Sequence, residues 1–307
     1  ERPVRWTAFV SHRQRRMRLI MDTRTDLQQV IEISGDQMRL FDLGYAGDGF
    51  VERLKRGFAG VAQTVQCTAL SDQCRAFVLC DYRGAEGGRL FGQLSGDLAA
   101  LVRGAAGCSP YLLSLMTREA DWMARAFEAP ETALSQEFAR LHRVAPGDLG
   151  SALRQAKKRV ALLTALADLA GVWTLEEVTR ALTEFADLAV QLSLRATVGA
   201  EIRRGKLPGM GEADLETLGG MFVLCMGKMG AHELNYSSDI DLICLFDETR
   251  FERTEFFEAR KSFIKATRAM SAMLNDRTAE GYVFRTDLRL RPDPAATPVC
   301  MAAAAAE

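Results

Sequence analysis

The chain has 307 residues, with 39 Lys and Arg against 40 Asp and Glu for a formal net charge of −1. Hydrophobic residues make up 48% and charged residues 26%, the balance of a globular chain and too apolar for an intrinsically disordered one. The near-neutral charge argues against non-specific nucleic-acid binding, and the absence of any run of about 18 apolar residues argues against a membrane span.

The first hundred residues carry weak patterns. Arg2, Arg5, Arg13, Arg15, Arg16 and Arg18 form a basic arm without an apolar core, so it is no secretory signal and reads as a solvated face. Segments 37–41 and 50–61 have helical spacing, and 76–82 reads as a strand. The GAEGG stretch at 84–88 lacks the Lys-Ser/Thr ending of a phosphate loop and reads as a turn. Seven cysteines, none in a C-x-x-C pair, and only three histidines (His12, His142, His232) make a zinc site improbable. Cys225 and Cys244 lie in apolar runs and read as reduced, buried thiols, which fits a reducing cytoplasm.

From residue 109 the pattern turns helical. Ser109-Pro110 is an N-cap followed by proline at the first helical position. Leu153, Ala156, Val160, Leu163, Leu166, Ala167 and Ala170 form one apolar stripe that Gly171 can end. Thr174 and Glu177 are spaced as a capping box, opening a helix that buries Leu175, Val178, Leu182, Phe185, Ala189 and Leu192. The short connection predicts that these two helices pack antiparallel. Residues 205–220 hold five glycines and a proline and read as an interdomain connection. Beyond it, 221–226, 239–246 and 281–290 read as strands, with a helix over about 255–274. The fold class is therefore α+β: a helical region leading into the start of an α/β domain. The domains expected are an unassigned region 1–107, a helical domain 108–215 and a strand-containing domain 216–307.

Chemistry concentrates in the last part. Asp239 and Asp241 are two residues apart on a predicted strand, so both carboxylates face one way. Two like charges held together call for a cation, and Mg²⁺ takes oxygen ligands while leaving positions for phosphate. Gly227 and Lys228 open a turn where phosphate could approach the backbone, and Ser237 and Ser238 precede the acids. Period-2 parity on the third strand puts Asp287 with Arg285, Arg289 and Arg291, adding a third carboxylate for a two-metal site and forks for phosphate oxygens. Each piece has an ordinary reading: a turn, a salt-bridged ladder, a solvated lysine.

The run GKMGAHELNYSSDIDL, together with GYVFRTDLRLRPD and the earlier CSPYLLSLMTREADW, resembles the glutamine synthetase adenylyltransferase/adenylyl-removing enzyme family. The resemblance covers about residues 108–307 and is closest to the N-terminal, adenylyl-removing half of those two-halved enzymes. It implies a polymerase β-like nucleotidyltransferase domain and removal of AMP from a tyrosine of glutamine synthetase by phosphate, releasing ADP. It further implies Asp239, Asp241 and Asp287 as ligands of two Mg²⁺ ions. Gly227, Lys228, Ser237 and Ser238 would line the phosphate side, with Arg289 and Arg291 added from strand parity. Glutamine synthetase would be the protein substrate and a PII-type signalling protein a regulator, with neither membrane nor nucleic acid as partner. The alternatives are adenylyl transfer from ATP to the same tyrosine, or a non-catalytic helical binding module. The resemblance also implies that the chain is a piece of a longer protein, with the metal ligands but not the whole of the active unit.

Overall fold

The computed structural model describes the backbone of three N-terminal strands and, from residue 96 onward, all residues but Pro292 and the last two. The expectations for 37–41, 50–61, 76–82 and 84–88 lie outside the described residues. The N-terminal strands β1 (Arg5–Ser11), β2 (Arg16–Asp22) and β3 (Gln29–Ile33) form an antiparallel sheet in the order β1-β2-β3. Helices α1 (Gly96–Cys108), α2 (Pro110–Arg118), α3 (Ala120–Ala126), α4 (Pro130–Leu141), α5 (Leu149–Leu169) and α6 (Leu175–Arg203) follow.

The predicted caps are present. The Ser109 hydroxyl accepts the Leu112 N–H at 3.2 Å with Pro110 in the first turn. Thr174 and Glu177 bond each other's backbone N–H reciprocally, at 3.2 and 2.7 Å. Gly171 takes a positive φ of 63° just past the end of α5. The α5 stripe is buried throughout, and of the six stripe residues expected in α6 only Leu175, at the first helical position, is exposed. The anticipated α5–α6 pairing is not the close helix contact of α6, which packs most extensively on α8 (Phe256–Asn275). Small side chains explain this: Ala259, Ser262 and Ala266 line the buried face of α8, and Ala186, Ala189 and Ser193 lie on α6, so the backbones approach closely.

The second sheet has β5 (Ile240–Phe246) at its centre. β4 (Met221–Met226) pairs antiparallel along one edge of β5, from Met221↔Phe246 to Met226↔Asp241. On the other edge two short strands run parallel to it, β6 (Thr286–Asp287) beside Ile240 and Asp241 and β7 (Cys300–Ala302) beside 244–246. One face of this sheet lies over Phe263, Met270 and Leu274 of α8, and Phe246 stacks on Phe263 with centroids 4.9 Å apart.

Two expectations about strands are corrected. The 221–226 run is not fully buried: Phe222, Leu224 and Met226 are exposed, because β4 is an edge strand covered on one face only. The 281–290 strand shrinks to two residues. The carboxylate of Asp287 accepts the N–H of Arg289 at 2.8 Å, a local turn that competes with the ladder and ends the strand.

The chain divides into two compact units, one of residues 1–129 with 166–172, the other of 130–165 with 173–307. The units do not follow the boundaries at 107 and 215. α6 and the 3₁₀ segment Glu212–Gly220 pack against each other, so helices from residue 130 onward share a core with the second sheet. The 205–220 connection is correspondingly docked, with Lys206 accepting the Ser262 hydroxyl at 2.5 Å. Among the described residues, no helix is long and apolar enough to cross a membrane.

Candidate active site

The site is built where β4 ends and β5 begins. Thirteen residues (227–239) connect the two strands, starting with the one-turn helix α7 (Gly227–Gly230). Apolar pegs hold this connection down: Met229 and Leu234 are fully buried, and the Leu234 N–H is accepted by the Thr183 hydroxyl of α6 at 3.3 Å. The glycines are demanded by space. Gly227 has φ +57°, and a Cβ there would stand 2.9 Å from Oδ2 of Asp241. A Cβ on Gly230 would meet the Cys225 carbonyl oxygen at 2.3 Å, closer than any real contact. The backbone of the turn is thus pressed against the Asp241 carboxylate, a contact that only a residue without a Cβ allows.

Asp241 and Asp287 are direct neighbours in the parallel ladder, so both carboxylates leave the same face of the sheet. That face also carries Met226, opposite Asp241 on β4. Asp239 lies just before β5, and its carboxylate is paired with Arg285, whose second nitrogen bonds the Ser237 carbonyl at 2.9 Å. Arg289 grips Asp287 with two nitrogens, at 3.0 and 2.5 Å. These bonds hold the Asp287 carboxyl below the usual carboxylate range. The Asp287, Asp241 and Asp239 charges all raise the Arg289 guanidinium, which therefore sits in the field of all three acids.

The remaining candidates are distributed more unevenly. Lys228 is exposed on α7 with its ammonium available at the same end of the sheet. Ser237 contributes its carbonyl to Arg285, while the Ser238 hydroxyl bonds Asn235 Oδ1 at 2.6 Å and shapes the turn before β5. Arg291 bonds the carbonyls of Leu288, Pro294 (2.8 Å) and Thr297 (3.0 Å), so its fork braces the loop after β6. The parity that grouped Arg289 and Arg291 assumed a regular strand, and the Asp287 turn removes that regularity.

Three hard oxygen donors at one sheet end are the chemistry a divalent cation of the Mg²⁺ type requires. In this arrangement guanidinium groups take two of the three carboxylates, and among the described residues no three Asp, Glu, His or Cys side chains close on a single point as a metal site. A cation would replace those guanidinium contacts.

Sequence reasoning did not single out a second layer behind the site. Asp187 of α6 has its carboxyl pushed up by burial, with His232 nearby and the half-buried Cys225 thiol 3.8 Å from its Oδ1. Lys157 of α5 is buried against Tyr282 and Phe284 and is driven down to about 8, chiefly by burial and also by Arg285. Both lie on helices whose stripes looked like plain core, and only the tertiary packing reveals them.

Helices layered on a small mixed sheet, with an Asp-Ile-Asp segment at the start of the central strand, form an α+β arrangement of the nucleotidyltransferase type. The chain belongs to the glutamate-ammonia ligase adenylyltransferase family, whose family model matches residues 99–307. It is 44% identical over 218 residues to the bifunctional glutamine synthetase adenylyltransferase/adenylyl-removing enzyme of Bradyrhizobium sp. strain ORS 278, covering 69% of this chain and 22% of that protein. The enzymes of the same name from Bradyrhizobium sp. strain BTAi1 and Caulobacter vibrioides are 45% and 38% identical, over 67% and 70% of this chain and 22% of each relative. The chain thus spans about a fifth of the length of these relatives.

Proposed function

We propose that this chain carries the catalytic end of an adenylyl-removing unit, which takes AMP off a tyrosine of glutamine synthetase with inorganic phosphate and releases ADP. The observation that carries the reading is the in-register pair Asp241 and Asp287, with Asp239 and the guanidinium of Arg289 beside it and Gly227 pressed on the Asp241 carboxylate. The names of the relatives supply the protein substrate and leave both reaction directions open. The wording of the E-L-N-Y-S-S-D segment favours removal.

A hydrogen-phosphate oxygen attacks the phosphorus of the tyrosine-bound AMP. The bond from phosphorus to the phenolic oxygen breaks, the proton of the attacking hydrogen phosphate passes to the tyrosine oxygen, and ADP leaves. Asp239, Asp241 and Asp287 would hold Mg²⁺, which when bound neutralises charge on the phosphoryl oxygens. Arg285 and Arg289, released from the acids, would be free to hold phosphate oxygens with their planar forks. Gly227 lets the turn come close to the substrate, and Lys228 adds a positive charge at its mouth. In this reading the phosphate oxygen attacks directly, without a covalent enzyme intermediate. A PII-type protein as regulator belongs to the same reading.

The test uses the full-length protein with adenylylated glutamine synthetase, Mg²⁺ and phosphate. ADP formation that depends on phosphate supports removal. Absence of ADP, with adenylylation and pyrophosphate from ATP and the unmodified synthetase through these same three aspartates, overturns the direction.

A further inference from the structure

β6 is two residues long, and two ladder pairs cannot by themselves fix where Asp287 stands. Its position depends on the segment leading into it, and that segment is held from the helical layer. Arg154, 7% exposed on α5, donates to the carbonyls of Gly281 (2.9 Å), Asp276 (3.0 Å) and Met273 (3.3 Å). One turn further along α5, Lys157 donates to the carbonyl of Val283 and lies over the rings of Tyr282 and Phe284, 4.9 and 4.4 Å from their centroids. Phe284 is packed from its other surroundings by Phe185 of α6, with centroids 5.6 Å apart. The next residue, Arg285, gives its carbonyl to the Ile240 N–H at 2.9 Å and its guanidinium to Asp239. The like charges of Lys157 and that guanidinium repel each other.

We propose that Lys157, with Arg154 behind it, is a positioning residue: it holds residues 281–285 so that Asp287 lies beside Asp241 and Arg285 reaches Asp239. A buried ammonium is an expensive way to satisfy one carbonyl, and core packing alone would be served by an apolar side chain of similar length. The positioning of Asp287 for catalysis rests on the function proposed above; the holding of the segment does not.

The experiment compares wild type, K157M and K157R in the full-length protein by hydrogen exchange and by steady-state removal of AMP. K157M keeps the aliphatic stem over the two rings and loses the donor. Exchange should speed up by at least about tenfold at Ile240 and over 283–287 while α8 stays protected. With the acids displaced by a fraction of an ångström to an ångström, kcat should fall about 10- to 100-fold while KM for the adenylylated synthetase stays within about twofold. K157R, which keeps a charged donor, should recover most of both. K157L, which likewise has no donor, reads the same contact if K157M does not fold. Unchanged exchange at Ile240 and 283–287, or loss of protection spreading equally through α8, overturns the proposal, as does local opening with an unaltered kcat. If the wild type removes no AMP at all, the proposed function fails while the exchange result still decides the holding role.

Discussion

Replacing Gly227 by Ala separates two costs that coincide at one residue. The first is conformational: φ of +57° is unfavourable for any residue with a Cβ, by roughly 1–2 kcal/mol. The second is contact: the new methyl would lie 2.9 Å from Asp241 Oδ2, whereas ordinary contact begins near 3.4 Å, so the carboxylate or the turn must yield by about half an ångström. Gly205 offers the control. It has φ +63°, lies just past α6, and a Cβ there meets nothing within 4 Å. G205A should therefore pay the first cost alone. In the full-length protein both variants should melt lower, G227A the more of the two, and only G227A should lose AMP removal, by about tenfold or more, because displaced reacting geometry is penalised steeply. The assay is phosphate-dependent ADP release measured beside thermal melting. Equal activity in G227A and G205A would refute the argument that the turn must touch Asp241.

Three further outcomes follow from the same geometry. D239N, D241N and D287N should each lower activity at least about 100-fold. For D239N the melting temperature should change little, since Asp239 and its partner Arg285 are both half exposed and solvent screens such a pair; a variant with full activity excludes that carboxylate from the site. For Lys157, the folded chain binds its proton less tightly than the unfolded chain, about 8 against 10.5, so between those pH values the unfolded state holds more protons and stability from this group rises with pH. The full span is on the order of 3 kcal/mol. Thiols raised by burial act oppositely above pH 9, so the comparison is wild type minus K157M, and a flat difference from pH 8 to 10.5 would contradict the burial of the charge. For Asp287, depressed by Arg289, stability is present above the ordinary carboxylate value of 3.8 and lost as pH falls through the lower folded value. In R289A, carboxyl NMR should find Asp287 titrating closer to 3.8, and an unmoved titration would count against the pair.

The sequence was most legible where local rules suffice. Caps at Ser109 and Thr174 need only the residues beside them, and the α5 stripe needs only a period. The D-I-D spacing and the G-K-M-G turn marked the candidate site because their geometry is nearly local too. Legibility failed where distant atoms decide. The apolar run of β4 looked fully buried because nothing in it says that it lies at an edge. The third strand looked regular because alternation cannot reveal that Asp287 would bond the backbone two residues on. Arg154 and Lys157 sit beside the stripe of α5, and the carbonyls they serve lie more than a hundred residues away.

The split edge of β5 has a consequence for synthesis. β4 and β5 can pair as soon as both have emerged, but the partners of the other edge begin only at residues 286 and 300. At roughly 5–20 residues per second, the chain is translated for several seconds with that edge open. An open strand edge is a template for pairing with another nascent chain, and charge on it is the usual deterrent. Asp239 and Asp241 stand at the start of that edge, so the acids that mark the candidate site also guard the unfinished sheet on the ribosome.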